Sequence, residues 1–457
     1  MVEVKTRRKK NQKSLNVWMN GLLVGTWTVF KTKPQQFQYA DQWLEHPSRR
    51  VLSLSMPFKP QNLPFEGDVV ENFFDNLLPD SDKIRKRIQQ KYAVRNSSSF
   101  ELLAEIGRDC VGAIQLLAEG EQPEGWDTIK AKPLSDLEVE QQLKVASSDA
   151  FLREETDEFR ISIAGAQEKT ALLWHEGQWC LPLGQTPTTH IMKLPLGLVG
   201  NMDADRFSSV ENEWLCSNIM DAYTIDTAHC EMGTFGETKA LIVKRFDRKL
   251  SQDGSYWLRL PQEDMCQALG LPSSLKYESD GGPGMVEILM LLRGSSVSHQ
   301  DRRSFFKTQV IFWMLAATDG HAKNFSLFHE ASGTYRMTPI YDVLSTWPIM
   351  GKKANQLSPH DAKLAMAFKS KNVHYKLKEI SPRHFYNMAE KLGLGAEVHD
   401  MLVEIVADTP SVIAKVKAML PANFPAAVAD AIFAGLNEKA DEIRRTIEIK
   451  ESEQNIR

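Results

Sequence analysis

A change of apolar period divides this chain. From Phe159 to Phe246 the apolar residues fall in short strand-like runs, FRISIAG, KTALLWHEGQWCLPL, HIMKLPL and ALIVKRF, with a turn at Glu176-Gly177. One helical segment interrupts them at 208–222, where Ser208 and Glu211 have the spacing of a capping box. After Leu258 the period is mainly helical, with Val310–Leu315 as its most apolar segment and amphipathic turns through 403–448. A β-rich lobe therefore precedes an α-rich lobe. Ahead of both, LNVWMNGLLVGTW reads as a hairpin turned at Asn20-Gly21. VVENFFDNLLPDSDKIRKRIQQKYA reads as helix broken at Pro79, which makes a small mixed α/β N-terminal domain.

A chain of 457 residues exceeds the ~250–300 at which one core stops growing, so several domains are expected. The expected division is a basic tail 1–14, an N-terminal domain 15–125, a polar connection 126–150, a small lobe 151–257, a large helical lobe 258–445 and a tail 446–457. Acidic side chains exceed basic ones, 59 against 55, so bulk charge offers no attraction to nucleic acid. The longest apolar run, Val310–Ala317, falls far short of the ~20 residues of a membrane span. The basic stretch 5–13 leads into no apolar signal core and reads as a solvated tail. Cys110, Cys180, Cys216, Cys230 and Cys266 are scattered and form no C-x-x-C pair, which argues against a disulfide framework or zinc site and for a reducing cytoplasm.

The polar loop TDGHAKNFSLF carries the sharpest local chemistry. Asp319 and Asn324 stand five apart between apolar runs, the spacing of the catalytic-loop aspartate and the metal-binding asparagine of kinases. In TPIYDVLS, Asp342 follows a short apolar element, where a second Mg²⁺-binding carboxylate is expected. Each of these three could serve a plain turn on its own. Lys193, inside the apolar strand HIMKL, needs an anionic partner, and the helix at 208–222 offers Glu211 and Glu213, of which Glu213 lies nearer the apolar side. The strand ending in KRF suggests an adenine site at the backbone of Lys244 to Phe246. Small residues Ala164, Gly165, Ala166 and Gln167 could form a phosphate nest. In order along the chain these are the parts of a two-lobed α+β phosphotransferase.

The runs FRISIAGAQEKTALL, PTTHIMKLP, RLPQEDMCQALGLPSSLKYESDGGPG, ATDGHAKNFSLF and YDVLS, with ENFFDNLLPDS and EIGRDCVGAIQL, closely resemble the HipA family of bacterial toxin kinases over residues 15–440. The resemblance implies a protein-kinase-like, lipid-kinase-like fold and an ATP- and Mg²⁺-dependent Ser/Thr kinase. It implies phosphorylation of glutamyl-tRNA synthetase, growth arrest or persistence, and control by a HipB-like helix-turn-helix antitoxin, with which the toxin acts as co-repressor on operator DNA. A bacterial cytoplasmic location follows, nucleoid-associated in the antitoxin-DNA complex, with no membrane partner. By the same resemblance Asp319 is the catalytic aspartate, and Asn324 and Asp342 are magnesium ligands. Lys193 binds nucleotide phosphate, His321 and Lys323 belong to the nucleotide site, and Ser162 is an autophosphorylation site. Lys376, Lys378 and Arg383 fall where the family faces DNA. Two alternatives stay open: a catalytically idle co-repressor of the same fold, and a small-molecule or lipid kinase.

Overall fold

The computed structural model describes residues 12–147, 167–199, 204–206, 208–353 and 355–455. Asn20 and Gly21 both take positive φ, 45° and 79°, the two-residue turn that matches strand twist. They join Gln12–Met19 to Leu22–Phe30. A side chain at Gly21 would also strike the Trp126 indole. The hairpin centres a five-stranded sheet in the order Phe65–Glu66, Gln36–Tyr39, Leu22–Phe30, Gln12–Met19, Ile114–Ala118. Helix Asp68–Asp75 packs on this sheet, with Trp27 stacked on Phe74 at 4.0 Å between ring centroids. Ser81 caps the next helix, Asp82–Lys91, just after Pro79. This is the N-terminal domain.

The small lobe is a six-stranded antiparallel sheet in the order Cys230–Phe235, Thr238–Lys244, His190–Lys193, Lys169–His175, Gln178–Pro182, Ala131–Pro133. The stretch 126–150, expected as a connection, supplies its edge strand and the helix Asp136–Ser147. Val139 and Leu143 of that helix share a core with Leu172, Leu181, Met192 and Ile242. The polar, proline-containing composition that suggested a connection suits an edge strand, which can spare an N–H.

Helix Ser209–Ala222 is buried nearly all round and shares one core with the large lobe and with Cys230 and Leu241 of the small-lobe sheet. The capping box expected at its start does not form. Ser208 makes no cap hydrogen bond, Ser209 Oγ accepts the Leu196 N–H at 2.9 Å, and the Glu211 carboxylate pairs with Lys239. A charged donor on the adjacent strand outcompetes a neutral amide for that carboxylate.

The large lobe is built on helices Met285–Leu291, Ser298–Leu315, Pro382–Lys391, Gly395–Ala418 and Ala426–Asn455. The last of these runs through position 446, where a tail was expected. The lobe also holds strands Gln262–Asp264, Ser326–His329 and Tyr335–Met337 and the hairpin Lys363–Lys369 with Val373–Lys376, where a mainly helical pattern was expected. Ser326–His329 is buried at every position, so it lacks the alternation that would distinguish a strand. The whole is the two-lobed α+β, kinase-like arrangement with a small N-terminal domain. Among the described residues no helix is long and apolar enough to cross a membrane.

These bodies meet on buried charge. Asp109 of the N-terminal domain accepts from Arg248 at 2.9 Å, Arg259 at 3.3 Å, Arg245 at 3.4 Å and the Thr188 hydroxyl at 2.7 Å. Asp247 accepts from Arg245 at 2.9 and 2.8 Å and from the Gly112 N–H at 2.7 Å. Burial pushes the Asp109 carboxyl up, but Arg248, Arg245 and Arg259 outweigh it and hold the group far below the usual carboxylate range. Nearby, Asn20 and the Arg259 backbone exchange two hydrogen bonds of 2.8 and 2.9 Å, so the hairpin turn also docks the domain. Asp109→Ala leaves three buried guanidiniums with one carboxylate and should cost about 3–5 kcal/mol in urea unfolding. An unchanged midpoint would remove this cluster as the seam that holds the domains.

Candidate active site

Lys193 sits on a central strand of the small lobe, where its chain neighbours are buried and its ammonium must find anions. Its Nζ donates to Glu213 Oε1 at 2.5 Å and to Asp342 Oδ1 at 2.8 Å. Of the two helix glutamates, Glu213 reaches the lysine and Glu211 does not. Burial works against the ammonium, yet the Asp342 and Glu213 charges hold its pKa above the usual lysine value. Burial pushes the Glu213 carboxyl up to about 7 despite the pull of Lys193. For Asp342, Lys193 and Lys169 outweigh burial and bring it down to about 2. One cation is thus shared by two carboxylates, with a second close by. Lys169 lies directly across from Lys193 in the sheet, and burial together with that neighbour lowers its pKa to about 8.

The loop with Asp319 begins where helix Ser298–Leu315 ends, at Ala316 with φ 48°. The last carbonyls of that helix are satisfied from the segment after Asp342. Ser345 Oγ donates to the Leu315 carbonyl at 2.6 Å and Thr346 Oγ1 to the Ala316 carbonyl at 2.7 Å. Asn212, next to Glu213, grips the backbone of Ser345 through both its amide atoms at 2.8 Å. One chain of contacts therefore runs from the Glu213 helix through Ser345 to the Asp319 loop. Within that loop Asn324 Nδ2 donates to the Asp319 carbonyl at 2.8 Å, and Asn324 Oδ1 takes no hydrogen bond among the described residues. Asp319 is exposed and Asn324 is buried. Asp342 holds φ 63°, a left-handed conformation uncommon for side-chain-bearing residues though better tolerated by aspartate than by most.

These groups line one cleft of about 610 Å³ between the lobes, shared by Gln167, Lys169, Lys193, Lys244, Phe246, Asp319, His321, Lys323, Asn324 and Asp342. Asp342 brings a carboxylate and Asn324 an amide oxygen to this cleft, the kind of donors Mg²⁺ takes while keeping part of its water shell. The Phe246 ring packs against Phe328 and Tyr341 at 5.7 and 5.6 Å. The expectation that the backbone from Lys244 to Phe246 is open to a base is narrowed here. The Lys244 N–H is taken by the His229 carbonyl and that of Arg245 by Thr189, both at 2.9 Å, which leaves the Phe246 amide as the one without a partner among the described residues. Sheet pairing and the tie to Thr189 consume the other two.

Gln167 is tied to the Leu194 carbonyl at 2.6 Å. Lys323 is committed to the N-terminal domain, donating to Asn76 Oδ1 at 3.0 Å and pairing with Asp80 at 2.9 Å. The His321 ring is buried edge-on against Tyr277, and burial lowers its pKa. Its Nδ1 has no hydrogen-bond partner among the described residues. Ser162, Ala164, Gly165 and Ala166 lie outside the described residues. Lys376, Lys378 and Arg383 are exposed on the large lobe, away from the cleft lining, with Lys378 against His360 at 2.9 Å. Sequence reasoning did not single out Lys169, Tyr277, Asn76 or Asp80. Lys169 opens an apolar strand as Lys193 ends one, a signal that was available; the others show their partners only in three dimensions.

Residues 161–413 match the family model described as HipA-like C-terminal domain, and residues 15–117 match the HipA N-terminal domain. The putative kinase Y4mE of Sinorhizobium fredii is 32% identical over 414 residues, covering 88% of this chain and 91% of that protein. The serine/threonine-protein kinase toxin HipA of Shewanella oneidensis is 28% identical over 406 residues, with 84% and 86% covered. A solved structure of Shewanella oneidensis HipA with HipB and its operator DNA superposes with a TM-score of 0.76 at 22% identity, over 93% of this chain and 96% of that one. At that identity the superposition speaks for the fold.

Asp80 offers a pH test of the contact between the N-terminal domain and the cleft. Burial raises its carboxyl, but Lys323 and Lys276 outweigh this and bring it to about 2, below its ordinary value of 3.8. A depressed carboxyl stabilises the fold fully above its unfolded pKa and loses that contribution as pH falls toward its folded value. From this shift the contribution is about 2 kcal/mol. Asp80→Asn should flatten the fall of stability between about pH 5 and pH 2 in denaturant titrations, and an unaltered acid slope would show that the lysines are not held by this carboxylate.

Proposed function

The chain belongs to the HipA family, and on that premise we propose that it is an ATP- and Mg²⁺-dependent Ser/Thr protein kinase, the toxin half of a toxin-antitoxin pair. The observation that carries this reading is the meeting of Lys193, Asp319, Asn324 and Asp342 in one cleft, with Lys193 held from behind by Glu213. Lys193, fixed by Glu213, draws the nucleotide phosphates toward the strand. The free amide and ring of Phe246 receive the adenine. Asp319 is exposed to the acceptor and takes the proton of its hydroxyl as the acceptor oxygen attacks the γ-phosphorus. Asn324 and Asp342 would hold Mg²⁺, which when bound offsets the charge of the phosphates. Lys169 adds a second cation for those phosphates.

The family relation supports the remaining assignments. We take glutamyl-tRNA synthetase as the protein substrate, a HipB-like antitoxin as the partner and operator DNA as reached through that complex, in keeping with the assembly named for the Shewanella protein. Lys376, Lys378 and Arg383 then add contacts to backbone phosphate only. Autophosphorylation at Ser162 would place a charge of about −1.5 to −2 beside the phosphate-binding segment and shut the site down.

Incubation with labelled ATP and purified glutamyl-tRNA synthetase should label the synthetase. Label absent from it but present in other proteins would move the substrate assignment elsewhere. Asp319→Asn should lower transfer by about 10²–10⁴-fold while ATP still binds; turnover near that of the unaltered chain would remove Asp319 from the chemistry. Asp342→Ala should instead weaken nucleotide binding at limiting magnesium, and unchanged affinity there would contradict its role as a ligand. Mass spectrometry after incubation with Mg-ATP should find phosphate on Ser162, and phosphate mapped only elsewhere would end that assignment.

A further inference from the structure

The run LKYESDGGPG has no role in the chemistry described so far, yet it lies against the catalytic loop. Tyr277 donates its hydroxyl hydrogen bond to Asp319 Oδ1. Burial and the adjacent Asp319 charge push the phenol well above its usual pKa, so the hydroxyl keeps its proton and acts as the donor. The other carboxylate oxygen, Oδ2, accepts no hydrogen bond among the described residues. The Tyr277 ring is not free to wander. It meets the His321 ring edge-on at 5.0 Å, and the Ala322 N–H donates to the carbonyl of the preceding residue, Lys276, at 3.1 Å.

The segment is pinned on its far side as well. Glu278 accepts the Ala367 N–H at 2.7 Å and pairs with Lys369 at 2.6 Å, which anchors it to the strand Lys363–Lys369. Lys276 is held by Asp80 at 2.8 Å. Around these anchors the chain folds so tightly that a Cβ at Gly282 would lie 1.9 Å from the Leu275 carbonyl oxygen. A hydroxyl supplied from so fixed a segment restricts the rotation of an otherwise exposed carboxylate.

We propose that Tyr277 is a positioning residue for phosphoryl transfer, its hydroxyl holding Asp319 so that Oδ2 is the oxygen offered to the acceptor hydroxyl. The inference rests on the reading of Asp319 given above. In the step it serves, the acceptor proton passes to Oδ2 and the acceptor oxygen bonds to the γ-phosphorus. The bond from that phosphorus to the bridging oxygen breaks, and ADP leaves with the electron pair. Tyr277 gives up no proton and forms no covalent bond.

The test is Tyr277→Phe in the full chain, which removes one oxygen and keeps the ring on His321. With γ-labelled ATP, transfer is counted both into protein and into water, beside the KM for ATP and the thermal midpoint. The expected result is a fall in kcat of about 10- to 100-fold, with KM for ATP and the midpoint unchanged. An unchanged kcat overturns the inference. A rise in kcat overturns it too, since the hydroxyl would then be competing with the acceptor, and a fall matched by a shifted KM or midpoint assigns Tyr277 to the fold alone. If the unaltered chain transfers no phosphate, the reading of the site falls and this inference with it, an outcome distinct from transfer that the substitution leaves intact.

Discussion

Three guanidiniums and two carboxylates, all buried where the N-terminal domain meets the small lobe, are the constraint on which the rest of the arrangement depends. Taking such groups out of water is expensive, and the cost is offset only if every charge finds partners at close range. Asp109 supplies those partners from one side and Asp247 from the other. Arg245 and Asp247 flank Phe246, so the wall of the cleft is set by a residue from another domain. The N-terminal domain reaches the cleft a second time through Asn76 and Asp80, which occupy Lys323 and Lys276. It is therefore part of the site's construction.

The Lys193 cluster joins the lobes by the same physics on a smaller scale. Lys193 belongs to the small-lobe sheet, and Glu213 lies on a helix whose core joins the large lobe to Cys230 and Leu241 of that sheet. Their ion pair forms only when sheet and helix are correctly placed. Asn212 extends the tie to Ser345, and Ser345 to the carbonyl end of the helix that precedes Asp319. The carboxylate that would bind metal, the lysine that would bind phosphate and the proposed proton acceptor are thus registered to one another through a few short hydrogen bonds, with Tyr277 holding the last of them from the opposite side.

Much of this was legible wherever the signal is local. The Asn20-Gly21 turn, the shift from strand to helix period, an isolated lysine in an apolar strand and the five-residue interval from Asp319 to Asn324 are properties of neighbouring residues, and backbone sterics or the expense of a buried charge give each a meaning without any partner in view. The strand Ala131–Pro133 and the buried strand Ser326–His329 carry no such local mark, because an edge strand has the composition of a connection and a fully buried one shows no alternation.

What only the tertiary structure decided is which distant charges meet. Asp109 and Arg248 are 139 positions apart, Tyr277 and Asp319 are 42 apart, and Asn76 and Lys323 are 247 apart. An aspartate in a polar run looks the same whether it faces water or three guanidiniums. The sequence by itself determined the order of the lobes and the identity of the candidate side chains, since these follow from local period and residue chemistry. Pairing, burial and the displaced pKa values came from the fold, because desolvation and Coulomb attraction depend on distance in space and not on distance along the chain.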